Sequence, residues 1–153
     1  MAKTGDNSKA ALVAALNGAL ADSLALYIKT KNFHWHVAGP RFRDLHLLFD
    51  DQATQILGVT DLIGERVRKN GANTVTSIGA IAGLSAITDQ DNADLSAEKM
   101  VEELRDDNVR LLDRLRDVKQ TSEEAGDNAT NGIVDDWIDQ AEERVWFLTQ
   151  TLK

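Results

Sequence analysis

Apolar residues recur through most of the chain at the three- and four-residue spacing of amphipathic helices. No segment alternates apolar and polar residues in the way of a half-buried strand, and no internal repeat is found. The pattern predicts four long helices: residues 9–37, residues 40–69, a third from Ser96 to a break at residues 123–128, and a fourth over residues 130–152. The chain is therefore expected to be all-α.

Each predicted helix carries one apolar stripe that we expect to face the core. In the first helix the stripe contains Leu12, Leu16, Leu20, Leu24 and Ile28, and it is widened by Val13, Leu26 and Tyr27. In the second it contains Leu45, Phe49, Ile56, Ile63 and Val67. In the third it contains Met100, Val101, Leu104, Val109, Leu111, Leu112, Leu115 and Val118. In the fourth it contains Ile133, Trp137, Ala141, Val145 and Leu148, and Trp146 is also expected to pack.

The connections between the helices predict their arrangement. Gly39-Pro40 ends the first helix and starts the second within a short turn, so these two helices should be antiparallel neighbours. A long connection follows over residues 71–95, and its residues 77–84 have a short helical pattern. A connection of this length can cross a whole bundle, so the third long helix need not run antiparallel to the second. We predict a ferritin-like four-helix bundle with a short extra helix between its second and third long helices.

The chain has the size of one ordinary domain, with a short flexible tail predicted over residues 1–8 and the bundle over residues 9–153. Its formal charge of −8, from 25 acidic and 17 basic residues, disfavours non-specific nucleic-acid binding and favours attraction of cations. Cysteine is absent, which excludes disulfides, zinc fingers and thiol chemistry. No secretion signal is recognised, and no apolar run approaches the roughly 18–20 residues that span a membrane. We therefore expect a cytoplasmic protein without a membrane partner.

Residues with metal-ligating side chains are concentrated in the second helix. His46 and Asp50 are four residues apart and share a helix face, and so do Asp61 and Glu65. The eleven-residue step from Asp50 to Asp61 returns the helix to within about 20° of the same direction, so both pairs lie on one side. The same step separates the pairs by a rise of about 16 Å, which is too long for one metal site.

The side of the helix that carries these pairs points away from the predicted core, roughly 100–200° from its apolar stripe. Leu47 and Leu57 share this outer sector, and apolar residues beside carboxylates indicate a surface for a partner. A two-fold axis near Gln55 and Ile56 would bring the first pair of one chain to the second pair of an antiparallel copy. The sequence therefore predicts two identical metal sites between two subunits.

His34 joins this set from the first helix. It lies about as far before the turn as His46 lies after it, so the two histidines should sit at similar height on adjacent helices. Two imidazoles and three carboxylates suit Fe(II), with positions left open for an oxidant, although Zn(II) takes similar ligands. Each residue alone has a simpler explanation, since a helical histidine is more often structural and an exposed carboxylate is usually just solvated. The symmetry of the set about one point is what favours a metal site.

Neighbouring residues are assigned to supporting roles. His36 points about 200° away from His34 on the same helix, which favours a structural role over direct ligation. Trp35 and Phe33 are expected to wall the area around the histidines, and Trp35 is expected to be a core residue, with oxidation beside bound iron as the alternative. A pair of iron ions inside the bundle is disfavoured, because no glutamate is followed three residues later by a histidine.

Three segments together resemble the Dps family, the ferritin-like mini-ferritins known as DNA-binding proteins from starved cells. They are residues 31–37, 42–50 and 61–66, and the resemblance extends over nearly the whole chain, including residues 145–147. The family spacing is a His-Trp pair, a histidine twelve residues later, an aspartate four further, and then an aspartate and a glutamate. This chain matches it at every step, with His34, His46, Asp50, Asp61 and Glu65.

The resemblance implies a hollow homo-dodecamer with iron sites at its two-fold interfaces. It implies a ferroxidase that oxidises Fe(II), preferably with hydrogen peroxide, and stores the ferric mineral inside the shell, which limits oxidative damage to DNA. The implied catalytic and iron-binding residues are His34, His46, Asp50, Asp61 and Glu65. Among them, Glu65 is expected to hold the tightest iron and Asp61 to bridge a second.

Two features depart from the family pattern. Many members bind DNA through a long lysine-rich tail, whereas the start of this chain offers Lys3 and Lys9. DNA binding is therefore predicted to be weak or absent, with a DNA-compacting nucleoid protein as the alternative function and a bundle without metal chemistry as a third. The family also lines its iron pores with acidic residues near the start of the last helix, where Gly132 replaces an aspartate of some members. The candidates for that role here are Glu123, Asp127, Asp135 and Asp136.

Overall fold

The computed structural model describes residues 4–153, with side chains from residue 7 onward, and every regular element in that range is helical. In chain order the helices are α1 (Thr4–His36), α2 (Phe42–Lys69), α3 (Ile78–Leu84), α4 (Ala97–Glu124) and α5 (Asn128–Thr151). The all-α prediction and the short helix within the long connection are confirmed.

The helix ends follow local sequence chemistry, with two differences from the predicted boundaries. Ser77 and Ser96 cap α3 and α4, since each side chain accepts a hydrogen bond from the backbone N–H three residues on. α2 begins two residues after the predicted Pro40, because Gly39 adopts a φ of 107° and the next two residues complete the turn. α1 begins at Thr4, so it includes residues 4–8 of the expected tail. These polar residues extend the helix because a helix that has already formed can be lengthened without further apolar side chains. Residues 1–3 lie outside the described range.

The contacts between helices give the connectivity of the bundle. α1 packs against α2 and α4, and α4 packs against α5. On α1, Asp22 pairs with Arg114 whereas Lys29 pairs with Asp107, so α1 and α4 run in opposite directions. Because α1 is also antiparallel to α2, α2 and α4 are parallel, and the connection between them crosses the length of the bundle. This is the predicted ferritin-like arrangement.

The predicted core is confirmed for α2 and fails at one end of α1. The five apolar stripe residues of α2 are all buried, but Ile28 of α1 is 60% exposed, whereas Leu26 and Phe33 are fully buried. A strict four-residue repeat turns about 400° per step, so four steps from Leu12 to Ile28 drift roughly 160° around the helix. The inner face of α1 therefore shifts to other residues along its second half.

Smaller corrections apply to α4 and α5. Val109 and Trp146 were expected in the core, yet both are exposed, whereas Trp137 is buried as predicted. Val134 takes the buried position beside Ile133, which is only partly covered. The inner face of α5 is thus rotated by one residue near its start.

Polar side chains of α1 hold the long connection against the bundle. The carboxylate of Asp22, fully buried, accepts hydrogen bonds from the backbone N–H of Ala86 at 2.7 Å and from Arg114 Nε at 2.9 Å. Further along α1, Lys29 Nζ donates to the backbone oxygen of Thr88 at 2.8 Å. These bonds fix the connection along α1 at two heights, although most of its residues are exposed or half-buried.

The length and composition of α1 are those of a membrane-spanning helix, contrary to the sequence expectation. The sequence expectation rested on the length of uninterrupted apolar runs. Asp22 and Lys29 interrupt the apolar segment of α1, but two charges lower its mean hydropathy only slightly. Both charges are buried and paired with α4, and 56% of the most apolar part of the helix is buried inside the protein. We therefore assign α1 as the central helix of the bundle.

Candidate metal centre

The turn between α1 and α2 places His34 and His46 directly against each other. Their rings stack with centroids 3.8 Å apart and planes 15° apart. His34 Nδ1 lies 2.7 Å from the backbone oxygen of His46, and His46 Nδ1 lies 2.7 Å from the backbone oxygen of His34. A carbonyl oxygen only accepts hydrogen bonds, so each Nδ1 carries the hydrogen and each Nε2 keeps its lone pair. The backbone bonds thus leave both Nε2 atoms available, as histidine ligation of a metal would need.

Asp50 completes this half of the candidate site from the next turn of α2. Its Oδ1 lies 3.8 Å from His34 Nε2 and accepts a hydrogen bond from Lys31 Nζ at 2.8 Å. The bond from Lys31 is the largest influence on Asp50 and holds the pKa of its carboxyl below the usual value. Asp50 is therefore a charged carboxylate at neutral pH, as a metal ligand must be.

Lys31 is a residue of this site that the sequence analysis did not single out. It precedes His34 by one helical turn, and this three-residue spacing is the signal that places both on one face. Its Nζ also lies 5.9 Å from the centroid of the Trp35 ring. Lys31 therefore brings a positive charge to the position where the sequence predicts a metal ion.

Asp61 and Glu65 lie about three and four turns beyond Asp50 on α2, and both are exposed. They line a shallow groove that also contains Leu24, Gly64 and Thr74. Glu65 forms an ion pair with Lys69 at 3.4 Å. Within residues 4–153, no three His, Asp or Glu side chains of one chain are grouped so as to hold a metal ion. A single chain thus places the five predicted ligands on one surface but does not bring its two halves together.

The surface between the two halves is partly apolar. Leu47, Leu57 and Leu62 of α2 are all substantially exposed, although they lie on a helix whose opposite face forms the core. Exposed apolar residues grouped between polar ones are typical of protein–protein interfaces. The outward direction predicted for this side of α2 is therefore confirmed, while the partner remains a prediction.

The aromatic residues around the histidines differ from those expected. Trp35 is 63% exposed rather than buried, and Phe33 is in the core. Phe42 instead lies against His46, with ring centroids 5.1 Å apart. His36 is exposed, and its Nδ1 lies 2.9 Å from the backbone oxygen of Asn32. His36 therefore bonds within its own helix end, consistent with the structural role predicted for it.

The acidic residues proposed for an iron pore have different surroundings. Asp127 caps α5 and accepts hydrogen bonds from Arg66, Asn70 and Thr130, so its oxygens are committed within the chain. Asp135 pairs with Lys119 at 2.9 Å, although it is well exposed. Glu123 and Asp136 are exposed. Asp127 is therefore a structural residue, and the others remain candidates.

The role of Asp127 predicts a pH-dependent contribution to stability. Partial burial would raise its pKa, but the hydrogen bonds from Thr130, Asn70 and Arg66 outweigh burial and hold the pKa well below the usual range. A carboxylate whose pKa is lower in the folded state stabilises the fold at any pH above its pKa in the unfolded chain, which is near 4. This stabilisation is lost progressively as the pH falls below that value. We expect Asp127→Asn to lower the free energy of unfolding by about 1–2 kcal/mol at pH 7.

The measurement is denaturant unfolding of both proteins at pH 7, 4 and 3, at one fixed protein concentration. The difference between the native protein and Asp127→Asn should be largest at pH 7 and should shrink steadily below pH 4. Asp135→Asn, which removes an exposed carboxylate from the same end of the bundle, serves as the control. If the free energies of unfolding of the native protein and Asp127→Asn differ by the same amount at every pH, the charge of Asp127 contributes nothing to stability.

Comparison with known proteins identifies the family of this fold. Residues 13–153 match the ferritin-like domain family. The chain is 34% identical, over 138 residues, to the DNA protection during starvation protein of Brevibacillus brevis, and this match covers 90% of the chain and 92% of the relative. The similarity therefore extends over nearly the full length of both proteins.

Solved structures give the same result. Dps from Thermosynechococcus elongatus superimposes with a TM-score of 0.94 at 24% identity, covering 99% of this chain and 96% of that one. The Dps protein of Vibrio cholerae superimposes with a TM-score of 0.90 at 27% identity, covering 96% and 92%. The Vibrio protein is described as a member of a broad superfamily of ferritin-like diiron-carboxylate proteins.

Proposed function

The chain belongs to the Dps family of ferritin-like proteins, and from this premise we propose that it oxidises Fe(II), its substrate, and stores the ferric product. The proposed oxidant is hydrogen peroxide, and the proposed store is a hollow homo-dodecameric shell in the cytoplasm. The observation that carries the proposal is the stacked histidine pair, whose two Nε2 atoms are left free, with that of His34 3.8 Å from the charged Asp50. Removal of iron and peroxide together would protect the cell from oxidative damage.

The proposed site is completed by a second subunit. His34, His46 and Asp50 supply two imidazoles and one carboxylate, and the two further carboxylates are too far along α2 to reach them in the same chain. A two-fold axis near the middle of α2 would add Asp61 and Glu65 of the partner subunit. The exposed apolar residues between the two halves support this pairing, because an isologous contact would bury them.

The proposed ligand set suits the chemistry of iron oxidation. Imidazole and carboxylate ligands together bind Fe(II) well and leave positions for an oxidant. Two Fe(II) ions give two electrons to one hydrogen peroxide, which takes up two protons and becomes two water molecules. Two-electron reduction of peroxide produces no hydroxyl radical, so both irons should be oxidised at one site. The carboxylates then stabilise the higher charge of the ferric product.

DNA compaction is the less favoured function. The formal charge of −8 opposes binding to a phosphate backbone, and Lys3 and Lys9 are the basic residues among the first nine. We propose that DNA binding is weak or absent at physiological salt. Retardation of linear DNA in a gel under those conditions would contradict this.

The test of the proposed function follows iron from Fe(II) to the stored product. Protein loaded with Fe(II) under anaerobic conditions is given half an equivalent of hydrogen peroxide, and the remaining Fe(II) is measured with a chelating dye. We expect nearly complete oxidation and ferric iron that elutes with a particle about twelve chains in size. Ferric iron that precipitates as it does in buffer alone, or that separates from the protein on the column, would contradict the proposal.

A further inference from the structure

One carboxylate oxygen of the candidate site faces two different groups. Asp50 Oδ1 lies 2.8 Å from Lys31 Nζ and 3.8 Å from His34 Nε2. His34 Nε2 is an open lone pair, because the Nδ1 of the same ring donates to the backbone. The oxygen that a metal would share with His34 is therefore already bonded to an ammonium group.

We propose that Lys31 competes with the metal for Asp50 and so weakens divalent-metal binding at this half of the site. The inference rests on the proposed function, because it concerns the metal position of that function. It makes Lys31 an affinity-setting residue, which acts through Asp50 and touches no substrate itself.

The distances bring the metal and the ammonium to the same carboxylate oxygen. Metal–ligand bonds to nitrogen and oxygen are about 2.0–2.2 Å long, so one ion can bind two atoms that are 3.8 Å apart. Such an ion would lie within a few ångströms of Lys31 Nζ, since both would bind the same oxygen. Two positive groups at this separation repel strongly wherever water is partly excluded. Metal binding at this oxygen is therefore weakened as long as the ammonium keeps its place.

The surroundings of Lys31 allow its ammonium to move. Its side chain is 20% exposed, and the hydrogen bond to Asp50 is the only one found for its Nζ among the described residues. The exposed face of Trp35 lies 5.9 Å from the same Nζ, and an aromatic face attracts a lysine ammonium. The displaced ammonium thus has a nearby position, and the cost of the exchange sets the metal affinity.

The experiment uses Zn(II), a redox-inert probe, so that binding is measured without oxidation. Isothermal titration of the assembled protein at neutral pH compares the native chain with Lys31→Gln, Lys31→Arg and Lys9→Gln. Lys9 is exposed and lies roughly 33 Å from Lys31 along α1, so Lys9→Gln makes the same change in net charge far from the site. The His46→Ala plus Asp61→Ala variant defines the binding that belongs to other carboxylates.

We expect Lys31→Gln to bind Zn(II) about tenfold more tightly, because an opposing charge is removed from the metal position. Lys31→Arg should keep the native affinity, since it restores the charge, and Lys9→Gln should change it little. Thermal unfolding gives a second readout: without metal all variants should melt close to the native protein, and saturating Zn(II) should raise the Tm of Lys31→Gln most.

The outcomes separate this inference from the proposed function. Equal Zn(II) affinity in Lys31→Gln and the native protein, or an equal gain in Lys9→Gln, overturns the role of Lys31 and leaves the metal site intact. Zn(II) binding that is unchanged in the His46→Ala plus Asp61→Ala variant overturns the metal site, and the role of Lys31 with it. Tighter binding in Lys31→Gln alone, reversed by arginine, supports the inference.

Discussion

Mixed particles of His46→Ala and Glu65→Ala subunits are expected to oxidise Fe(II) at about a quarter of the native rate, whereas either variant alone should retain almost none. Each variant removes a ligand from every site. In a mixed two-fold pair, one site loses both ligands, but the other receives His46 from one subunit and Glu65 from the other. Random pairing makes about half of the pairs mixed, and one of two sites in each is complete.

The measurement requires both variants in the same particles. Co-expression with two different affinity tags and sequential purification yields them, and mass spectrometry gives the subunit ratio. His36→Ala mixed with Glu65→Ala is the matched control. Because His36 is not a proposed ligand, a site should be active whenever its Glu65 comes from a His36→Ala subunit. The activity should therefore equal the fraction of His36→Ala subunits, about half of the native rate in an equal mixture. Mixed His46→Ala and Glu65→Ala particles with no more activity than the separate variants would show that both ligands act within one chain.

The core face of α2 could be predicted from sequence more accurately than that of α1, and the reason is their position in the bundle. α2 has one covered face, so polar residues mark its outer side and the apolar spacing identifies the inner side. α1 is covered by both α2 and α4, so apolar residues occupy most of its circumference and several stripes fit the sequence. The stripe ending in Ile28 was one of these; in the structure Ile28 is exposed, whereas Leu26, predicted beside the stripe, and Phe33 are buried.

The candidate site could be predicted in its positions but not in its orientation. Chain spacing was enough to place His34 and His46 at one height, because the turn between their helices is short. Their reciprocal hydrogen bonds depend on ring rotation and on the separation of two backbones, which residue spacing does not specify. The contact of Lys31 with Asp50 depends in the same way on the packing of two helices. The other half of the site lies on a second chain in the proposed arrangement, so a single chain cannot display it.

The second large effect is expected in the buried charges between α1 and α4. Lys29 is 7% exposed and Asp107 is 1% exposed, and Lys29 Nζ lies 2.7 Å from Asp107 Oδ2. Glu103 is a second partner of Lys29 at 3.0 Å, and Arg110 bonds the other oxygen of Asp107 at 2.8 Å. We expect Asp107→Asn to lower the free energy of unfolding by about 3 kcal/mol, the low end for a broken buried pair, because Lys29 loses its closest counter-charge but keeps Glu103.

The comparison that isolates this effect uses Asp106→Asn, one residue away on α4, where the carboxylate is exposed and paired with Arg105. Asp106→Asn should change the free energy of unfolding by no more than about 0.5 kcal/mol. Because an assembled particle gains stability from association, all variants are compared by thermal unfolding at one protein concentration. Equal melting temperatures for the two variants would mean that Asp107 does not stabilise the buried ammonium.

Removal of both buried charges should cost less than removal of either one. In Lys29→Met with Asp107→Leu, neither of the two buried charges remains, Glu103 and Arg110 keep access to water, and two apolar side chains fill similar volume. We expect this double variant to unfold at a higher temperature than Asp107→Asn. In that case the ion pair mainly determines where the long connection lies, since Lys29 also bonds Thr88 of the connection and so joins it to α1 and α4. If the double variant is stable but the connection around Thr88 exchanges its amide hydrogens faster, the charges maintain the position of the connection rather than the overall stability of the bundle.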